Sequence, residues 1–205
     1  MIVQGGSPGP ARRVTIRRGE SIARTGAPIG DVRILTSGAC SVVRTMQRGL
    51  DAEGATLFAG DVCTFGTSLG ARTHRFDVRA LVDGEMLVVG PEYADSSYTQ
   101  ACRTTGSAVA RRMSRRAACN ALHPAAARLA TWLCDLTSVL GPRVHVPSDA
   151  VAIALGAPRE SAARALRRIA ADGLLSYRAG DISVQDPAAL RASACACAAD
   201  PVPGR

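Results

Sequence analysis

A run near the end of the chain, Ser148 to Leu175, constrains the fold more than any other stretch. It reads SDAVAIALGAPRESAARALRRIAADGLL, and Gly156-Ala157-Pro158 interrupts its apolar first segment. Glycine favours the left-handed backbone of a helix end, and proline can begin a helix but cannot continue one. Ser148 is the predicted N-cap, because its hydroxyl can accept a hydrogen bond from a free amide of the first turn. The run therefore predicts two helices joined by a tight turn, the second starting at Arg159.

The second predicted helix has two different faces. At about 100° per residue, one side carries only apolar side chains, which are Ala162, Ala165, Leu166 and Ile169. The opposite side is mostly charged and consists of Glu160, Ala163, Arg164 and Arg167, with Arg159 at the amino-terminal tip. This pattern is typical of a helix-turn-helix. An ordinary helical hairpin with solvated arginines is the alternative.

The residues after this helix favour a β-hairpin. Two strand-like runs, Leu174–Arg178 and Ile182–Val184, flank the turn Ala179-Gly180-Asp181. A helix-turn-helix followed by a hairpin is a winged helix. The charge distribution agrees, because the residues from 93 onward contain 14 Arg and 8 acidic side chains, against 11 and 9 before them. This basic excess predicts a polyanionic partner, double-stranded DNA.

The same unit resembles the DNA-binding domain of the Crp/Fnr family of bacterial transcription regulators. The family's reading helix begins R-E-[TS]-x-x-R, and residues 159–164 are RESAAR. Arginine suits bidentate bonding to guanine, and glutamate accepts from cytosine N4. The candidate base contacts are Arg159, Glu160, Ala163 and Arg164, and the resemblance implies that the arginines and the glutamate read a G-A half-site core. The candidate phosphate contacts, which govern affinity more than sequence preference, are Ser148, Arg167, Arg168 and Arg178.

Glycines divide the amino-terminal half into short strand-like runs. Between Arg12 and Gly90 these are V-T-I, S-I-A, V-R-I-L, C-S-V-V, A-T-L-F, V-C-T-F, F-D-V-R-A-L and M-L-V-V. Short strands at this spacing predict a small antiparallel barrel or jelly roll. Residues 18–38, RGESIARTGAPIGDVRILTSG, and the pair Gly60-Asp61 are similar to the sensor roll of the Crp/Fnr family, which is a cyclic-nucleotide-binding-like jelly roll.

The predicted fold class is α+β, with a β-roll sensor domain over 1–92, a dimerisation helix over 93–120 and a winged helix-turn-helix domain over 121–205. The helical part carries a stripe of small and apolar residues that would let a second copy approach closely, namely Ala101, Cys102, Thr105, Ala108, Val109, Met113 and Ala117. The arginines at 111, 112, 115 and 116 are predicted to form a solvated basic face; a positive field above DNA is the alternative. The resemblance implies a homodimer that reads an inverted repeat and has RNA polymerase as a further partner.

The effector segment departs from the family's cyclic-nucleotide binders. Those proteins place a glutamate for the ribose after the G-[DE] pair, whereas residues 60–70 here read GDVCTFGTSLG. The arginine for the cyclic phosphate is also out of register by one, at Arg75, and Asp77 would repel a phosphate. We therefore expect that cyclic AMP is not the ligand. No cofactor is predicted, the effector is left open, and the candidate pocket residues are Cys63, Phe65, Ser68 and Arg75.

Seven cysteines in a chain that we expect to be cytoplasmic favour free thiols over disulfides. Five of them are predicted to be buried small side chains, namely Cys40, Cys63, Cys102, Cys119 and Cys134. Cys195 and Cys197 form a C-x-C that could bind a soft metal or sense oxidation. No second pair at metal-ligand spacing accompanies it, so no metal site is predicted. This C-x-C, with the junction A-C-N-A-L-H, is similar to a proteobacterial branch of the Crp/Fnr family.

Two other functions compete with DNA binding. Residues 66–70 fit G-x-S-x-G, the nucleophile elbow of α/β hydrolases, but short glycine-bounded strands exclude that fold, and we expect no enzyme activity. A ligand-binding or protein-interaction module that has lost DNA binding is the other alternative, and the intact Arg159, Glu160 and Arg164 count against it. No apolar run approaches the roughly 20 residues of a membrane helix, and the predicted location is the cytoplasm.

Overall fold

The structure, a computed structural model, describes residues 11–46, 50–66, 70–91 and 96–199. The chain divides into two compact units. The first unit comprises residues 1–42 and 56–110, and the second comprises residues 43–55 and 111–205. The domain ranges 1–92, 93–120 and 121–205 stay a prediction.

The described part of the amino-terminal half contains seven strands. They are β1 (Arg12–Ile16), β2 (Ser21–Ala23), β3 (Val32–Ser37), β4 (Ala39–Thr45), β5 (Asp51–Phe58), β6 (Asp77–Ala80) and β7 (Gly84–Val89). They form two sheets, ordered β1-β7-β3 and β2-β6-β4-β5. Strand β7 is antiparallel to both neighbours, so that Met86 lies opposite Val14 on one side and Leu35 on the other. The predicted antiparallel roll is confirmed.

The run V-C-T-F at 62–65 was predicted to be a strand, and that prediction is wrong. Val62 makes an isolated bridge to Ile34, and the chain then turns. The side chains of Val62, Cys63 and Phe65 are nevertheless buried. A buried turn and a buried strand share the same apolar composition, so composition could not separate them.

The rest of the chain is mostly helical. The helices are α1 (Ser96–Leu122), α2 (Ala125–Leu140), α3 (Ser148–Leu155), α4 (Arg159–Ala171) and α5 (Pro187–Ser193). A three-stranded sheet, ordered β8-β10-β9, consists of β8 (Arg143–His145), β9 (Leu175–Arg178) and β10 (Asp181–Val184). The helix-turn-helix and its hairpin are confirmed, whereas β8 was not anticipated.

Helix α2 supplies the apolar support of the second unit. Its buried face contains Leu129, Trp132, Leu133 and Leu136. It packs against α3, α4 and α5. Burying a leucine side chain of this kind contributes about 1.5–3 kcal/mol. The helix-turn-helix therefore rests on a packed helical core.

Candidate nucleic-acid interface

The turn between α3 and α4 has the predicted geometry. Gly156 adopts the left-handed conformation, with φ 55° and ψ 42°, and its N–H donates to the Ile153 carbonyl at 3.1 Å. Pro158 is the N-cap of α4, and its carbonyl accepts from the N–H groups of Ser161 and Ala162 at 2.9 and 3.1 Å. Glycine at the end of one helix and proline at the start of the next thus fix the direction in which α4 leaves the turn.

Helix α4 buries one face and exposes the other. The buried residues are Ala162, Ala165, Leu166 and Ile169. The reading face, which we define as Arg159, Glu160, Ala163 and Arg164, is exposed except for half-buried Ala163. Nη2 of Arg164 donates to Oγ of Ser161 at 2.9 Å, which directs this guanidinium along the outer side of the helix. Among the described residues, Arg159, Arg167 and Arg168 make no salt bridge, so no acidic side chain competes for them.

The hairpin β9–β10, which we call the wing, follows α4 directly. Arg178 pairs with Asp181 across a two-residue turn, in which Ala179 and Gly180 have φ of 50° and 96°. Two consecutive positive φ values match the type I′ turn that suits the twist of a tight hairpin. The Asp181 carboxylate also lies 2.6 Å from Nδ1 of His145 on β8, within hydrogen-bond distance. The wing is thereby joined to β8, and Arg178 is exposed at its tip.

The candidate phosphate contacts are all exposed, and they lie on three elements: Ser148 on α3, Arg167 and Arg168 on α4, and Arg178 on β9. The prediction that Ser148 caps α3 is wrong. Pro147 is the N-cap, no side chain caps the helix, and Ser148 is its first residue. Proline preceding the helix fixes the chain direction without a capping hydroxyl.

Two arginines stabilise the carboxyl end of α3. The guanidinium of Arg116 donates to the Ala154 carbonyl, and that of Arg128 donates to the Leu155 carbonyl at 2.9 Å. The last carbonyls of a helix have no partner within the helix and carry partial negative charge, so cations there are favourable. Arg116 and Arg128 thus connect α1 and α2 to the first helix of the helix-turn-helix.

A buried acid completes this arrangement. Oε1 of Glu53 accepts from Nη2 of Arg116 at 2.7 Å and from Nε1 of Trp132 at 3.2 Å. The Glu53 side chain is only 1% exposed. Glu53 and Arg128 were not singled out from the sequence, because nothing local connects them to residues so far along the chain.

The prediction of a solvated basic face on α1 is wrong for two of its four arginines. Arg115 forms an ion pair with Asp135 of α2, and its side chain is 16% exposed. Arg116 is 19% exposed and pairs with Glu53. Arg111 is exposed, as expected. Arg115 and Arg116 therefore act within the protein, and neither is free to extend a positive field over DNA.

The predicted small-residue stripe on α1 is largely covered by its own chain. Cys102, Thr105, Ala108 and Val109 are buried in the first unit. The Thr105 hydroxyl accepts from the Val62 N–H at 3.0 Å. Of the residues predicted to form a dimer seam, Ala117 is exposed.

Two family models match the chain. One describes a cyclic nucleotide-binding domain and covers residues 13–98; the other describes a Crp-like helix-turn-helix domain and covers residues 127–193. Solved structures with the same fold include TTHA1359, a transcriptional regulator of the CRP/FNR family from Thermus thermophilus. The two chains have a TM-score of 0.75 and 19% sequence identity, and the match covers 89% of this chain and 98% of that chain. The chain belongs to the Crp/Fnr family.

Two further structures show the same fold. FixK2 from Bradyrhizobium japonicum has a TM-score of 0.75 and 19% identity, over 91% of this chain and 98% of that chain. TTHB099, a CRP-family regulator from Thermus thermophilus, has a TM-score of 0.77 and 20% identity, over 88% and 96%. No curated protein sequence matches at significant similarity. This Crp/Fnr chain is a transcription regulator with a helix-turn-helix DNA-binding domain, and none of its described helices is both long and apolar enough to cross a membrane.

The first unit of this Crp/Fnr regulator contains a cavity of about 160 Å³ at the predicted effector position. Cys63, Phe65 and Arg75 line it, as expected, together with His74 and Phe76. Ser68, the fourth candidate, lies outside the described residues. The rings of Phe65 and Phe76 are stacked with centroids 6.5 Å apart. The cavity lining thus includes two stacked aromatic rings and the guanidinium of Arg75.

Titratable groups in and near the cavity are held in their neutral or paired states. A hydrogen bond with Cys40, followed by burial, raises the pKa of the Cys63 thiol. Burial, followed by the charge of Arg33, lowers the pKa of His74. Asp77 does not line the cavity; it accepts from the Thr25 N–H at 2.8 Å and from Arg79 at 3.0 Å. The argument that Asp77 repels a phosphate there is therefore wrong, because its charge is already compensated outside the cavity.

Three cysteines and a histidine converge in the second unit. The sulfurs of Cys119, Cys195 and Cys197 all lie within 4.8 Å of one another, and Nε2 of His123 is 3.4 Å from the Cys197 sulfur. Burial and hydrogen bonds with the other two thiols raise the pKa of Cys119 to about 12. Burial acts to raise the pKa of Cys195 as well, but hydrogen bonds from Thr131, Cys119 and Cys197 outweigh it and lower that pKa. The fold therefore brings Cys119 and His123 next to the C-x-C motif, from which they are distant in the sequence.

Proposed function

We propose that this Crp/Fnr regulator binds a specific double-stranded DNA sequence by inserting α4 into the major groove. The reading face supports this most strongly, because it presents two guanidinium groups and a carboxylate on a helix whose other face is buried. Arg159 and Arg164 would each bond guanine O6 and N7, and Glu160 would accept from cytosine N4. Ser148, Arg167, Arg168 and Arg178 would bind phosphates and align the helix in the groove.

We further propose that the protein acts as a homodimer on an inverted repeat. Two copies of α4 would contact half-sites about 34–36 Å apart, one turn of B-DNA. A regulator bound in this way would change transcription through contact with RNA polymerase. The family supports this proposal, since its members typically dimerise and bind DNA.

Selection of bound duplexes from a random pool tests the reading face. Wild-type protein should enrich an inverted repeat with a G-A core in each half-site. Arg164→Ala should lose preference at one base position per half-site, by about 5- to 150-fold in relative affinity, since a good base contact is worth about 1–3 kcal/mol. An Arg164→Ala variant that enriches the wild-type motif unchanged contradicts the assignment.

The matched control is Arg191→Ala, which removes an exposed helical arginine of α5 in the same unit. It should keep the wild-type motif. Gel shifts on random duplex at several salt concentrations distinguish a DNA-binding protein from the remaining alternative, a module that has lost DNA binding. A DNA-binding protein shows a steep loss of affinity with salt because phosphate contacts release counterions. Absence of any shift at low salt would favour the interaction module.

We also propose that cyclic AMP is not the effector. The cavity of about 160 Å³ is smaller than the roughly 300–1,000 Å³ of ordinary ligand pockets. No glutamate follows Gly60-Asp61 to bind a ribose hydroxyl. Isothermal titration should detect no cyclic AMP binding at micromolar concentration. Binding in that range that disappears in Arg75→Ala would overturn this proposal.

A further inference from the structure

The cluster of Cys119, His123, Cys195 and Cys197 has the composition of a metal site. His123 directly follows α1, and its N–H donates to the Cys119 carbonyl at 3.0 Å, so the two residues are one helical turn apart. Cys195 and Cys197 follow α5, far along the chain. Thiolate sulfur and imidazole nitrogen in a three-to-one ratio form one of the common ligand sets of structural zinc.

The separations of the three sulfurs suit a single tetrahedral ion. Zn–S bonds of about 2.3 Å at the tetrahedral angle separate two sulfurs by about 3.8 Å, and a Zn–N bond of about 2.0 Å places nitrogen about 3.5 Å from a sulfur. The sulfurs of Cys119 and Cys195 are 3.6 Å apart, and all three sulfurs lie within 4.8 Å of one another. Nε2 of His123 is 3.4 Å from the Cys197 sulfur but is not within 4.8 Å of all three sulfurs, so its side chain has to move toward the ion to complete the site. A [4Fe–4S] cluster would hold its thiolates on different iron atoms, and hence farther apart than these sulfurs lie.

Groups around the cluster would hold its ligands in place. Oγ1 of Thr131 on α2 lies 3.0 Å from the Cys195 sulfur and accepts from the Cys195 N–H at 3.1 Å. Such outer contacts orient metal ligands and support their charge. Cys119 and Cys195 are buried, whereas Cys197 and His123 are half-buried, which gives an ion a route from solvent.

A disulfide between Cys119 and Cys195 is the simplest competing explanation. It would join two of the four groups, but it would give no reason for Cys197 and His123 to lie against them. It would also require the two sulfurs to approach from 3.6 Å to about 2.05 Å.

We propose that Cys119, Cys195 and Cys197 bind one zinc ion as thiolates, with Nε2 of His123 as the fourth ligand. The three thiols release their protons to solvent when the ion binds, and neutral imidazole supplies its nitrogen lone pair. The ion links the end of α1 to the segment after α5, next to α2. It thereby fixes the carboxyl-terminal segment against the helices that support the helix-turn-helix.

Metal analysis of the full chain tests this site. The protein, purified without chelator, should contain one zinc per chain by mass spectrometry. Cobalt(II) replacing the zinc should give the intense visible absorption of a tetrahedral ion together with a thiolate-to-cobalt charge-transfer band. Loss of a residue that only supports a metal ligand commonly lowers metal affinity about 10- to 100-fold. Cys197 is itself a proposed ligand, so Cys197→Ser should lower the metal affinity by more than that. His123→Ala should keep the charge-transfer band and change the visible bands.

Cys134→Ser is the matched control, because Cys134 is a buried cysteine of α2 outside the cluster. It should bind one zinc with wild-type spectra. Circular dichroism checks that each variant folds, and the cobalt titration of the wild-type protein does not depend on any variant. Three results overturn the proposal: no tetrahedral cobalt spectrum in reduced wild-type protein with excess metal, equal metal binding by Cys197→Ser, or a Cys119–Cys195 disulfide in the protein as purified.

Discussion

Glu53 accepts hydrogen bonds from Arg116 and Trp132 with a side chain that is 1% exposed. A carboxylate at such a site is favourable only because its charge is paired. Arg116 has a second acceptor, the Ala154 carbonyl at the end of α3. One acid thus holds the guanidinium that stabilises the end of the first helix of the helix-turn-helix.

We predict that Glu53→Gln lowers the free energy of unfolding of the second unit by about 2–4 kcal/mol. The substitution keeps the shape of the side chain but leaves a mostly buried guanidinium without its counter-charge. Trp132 is the only tryptophan and contacts Glu53, so its fluorescence during urea unfolding reports on this unit.

The matched control is Asp181→Asn, which removes the acid of an exposed ion pair with His145. The Asp181 side chain is 75% exposed and the His145 side chain 43% exposed. Surface pairs contribute about 0–1 kcal/mol, so the urea midpoint should change little. Equal losses in the two variants would show that burial of Glu53 has no special role.

At the scale of elements, patterns within a short stretch of sequence predicted the structure correctly. Helix α4 is amphipathic over several turns, and its Gly and Pro boundaries have direct backbone consequences, so its limits and its buried face followed from the sequence. The wing could also be predicted from the sequence, because its two strands are adjacent in the chain. Strand β8 has three residues, and its partner β10 lies far along the chain. Neither its length nor its composition could reveal it.

The remaining site residues depended on distant contacts. Charge and periodicity indicate that an arginine is helical, but not whether it is solvated, and Arg115 and Arg116 proved to be paired with acids from other elements. Cys119 and His123 are four residues apart, a spacing that places two residues on the same side of a helix, but this spacing alone did not connect them with the C-x-C motif. Only the fold shows that Cys195 and Cys197 reach them.

At the scale of the whole molecule, the proposed dimer has to use a face of α1 that its own chain leaves free. Cys102, Thr105 and Val109 are buried within the protomer and are unsuited to a second copy. Arg111, Ser114, Ala117 and Ala118 are exposed, at spacings of three and four residues. Short side chains on such a face let two helices approach closely.

We predict that Ala117→Arg shifts the protein from dimer to monomer in analytical ultracentrifugation at micromolar concentration. In a symmetric pair each substitution occurs twice, so two long cationic side chains would have to fit where two methyl groups met. Affinity for the inverted repeat should fall by at least about 100-fold because the second half-site no longer binds intramolecularly. Ala188→Arg makes the same change at an exposed site on α5 and should remain dimeric with wild-type affinity. A monomeric wild-type protein that binds the full inverted repeat tightly, or an Ala117→Arg protein as dimeric as the wild type, would exclude this seam.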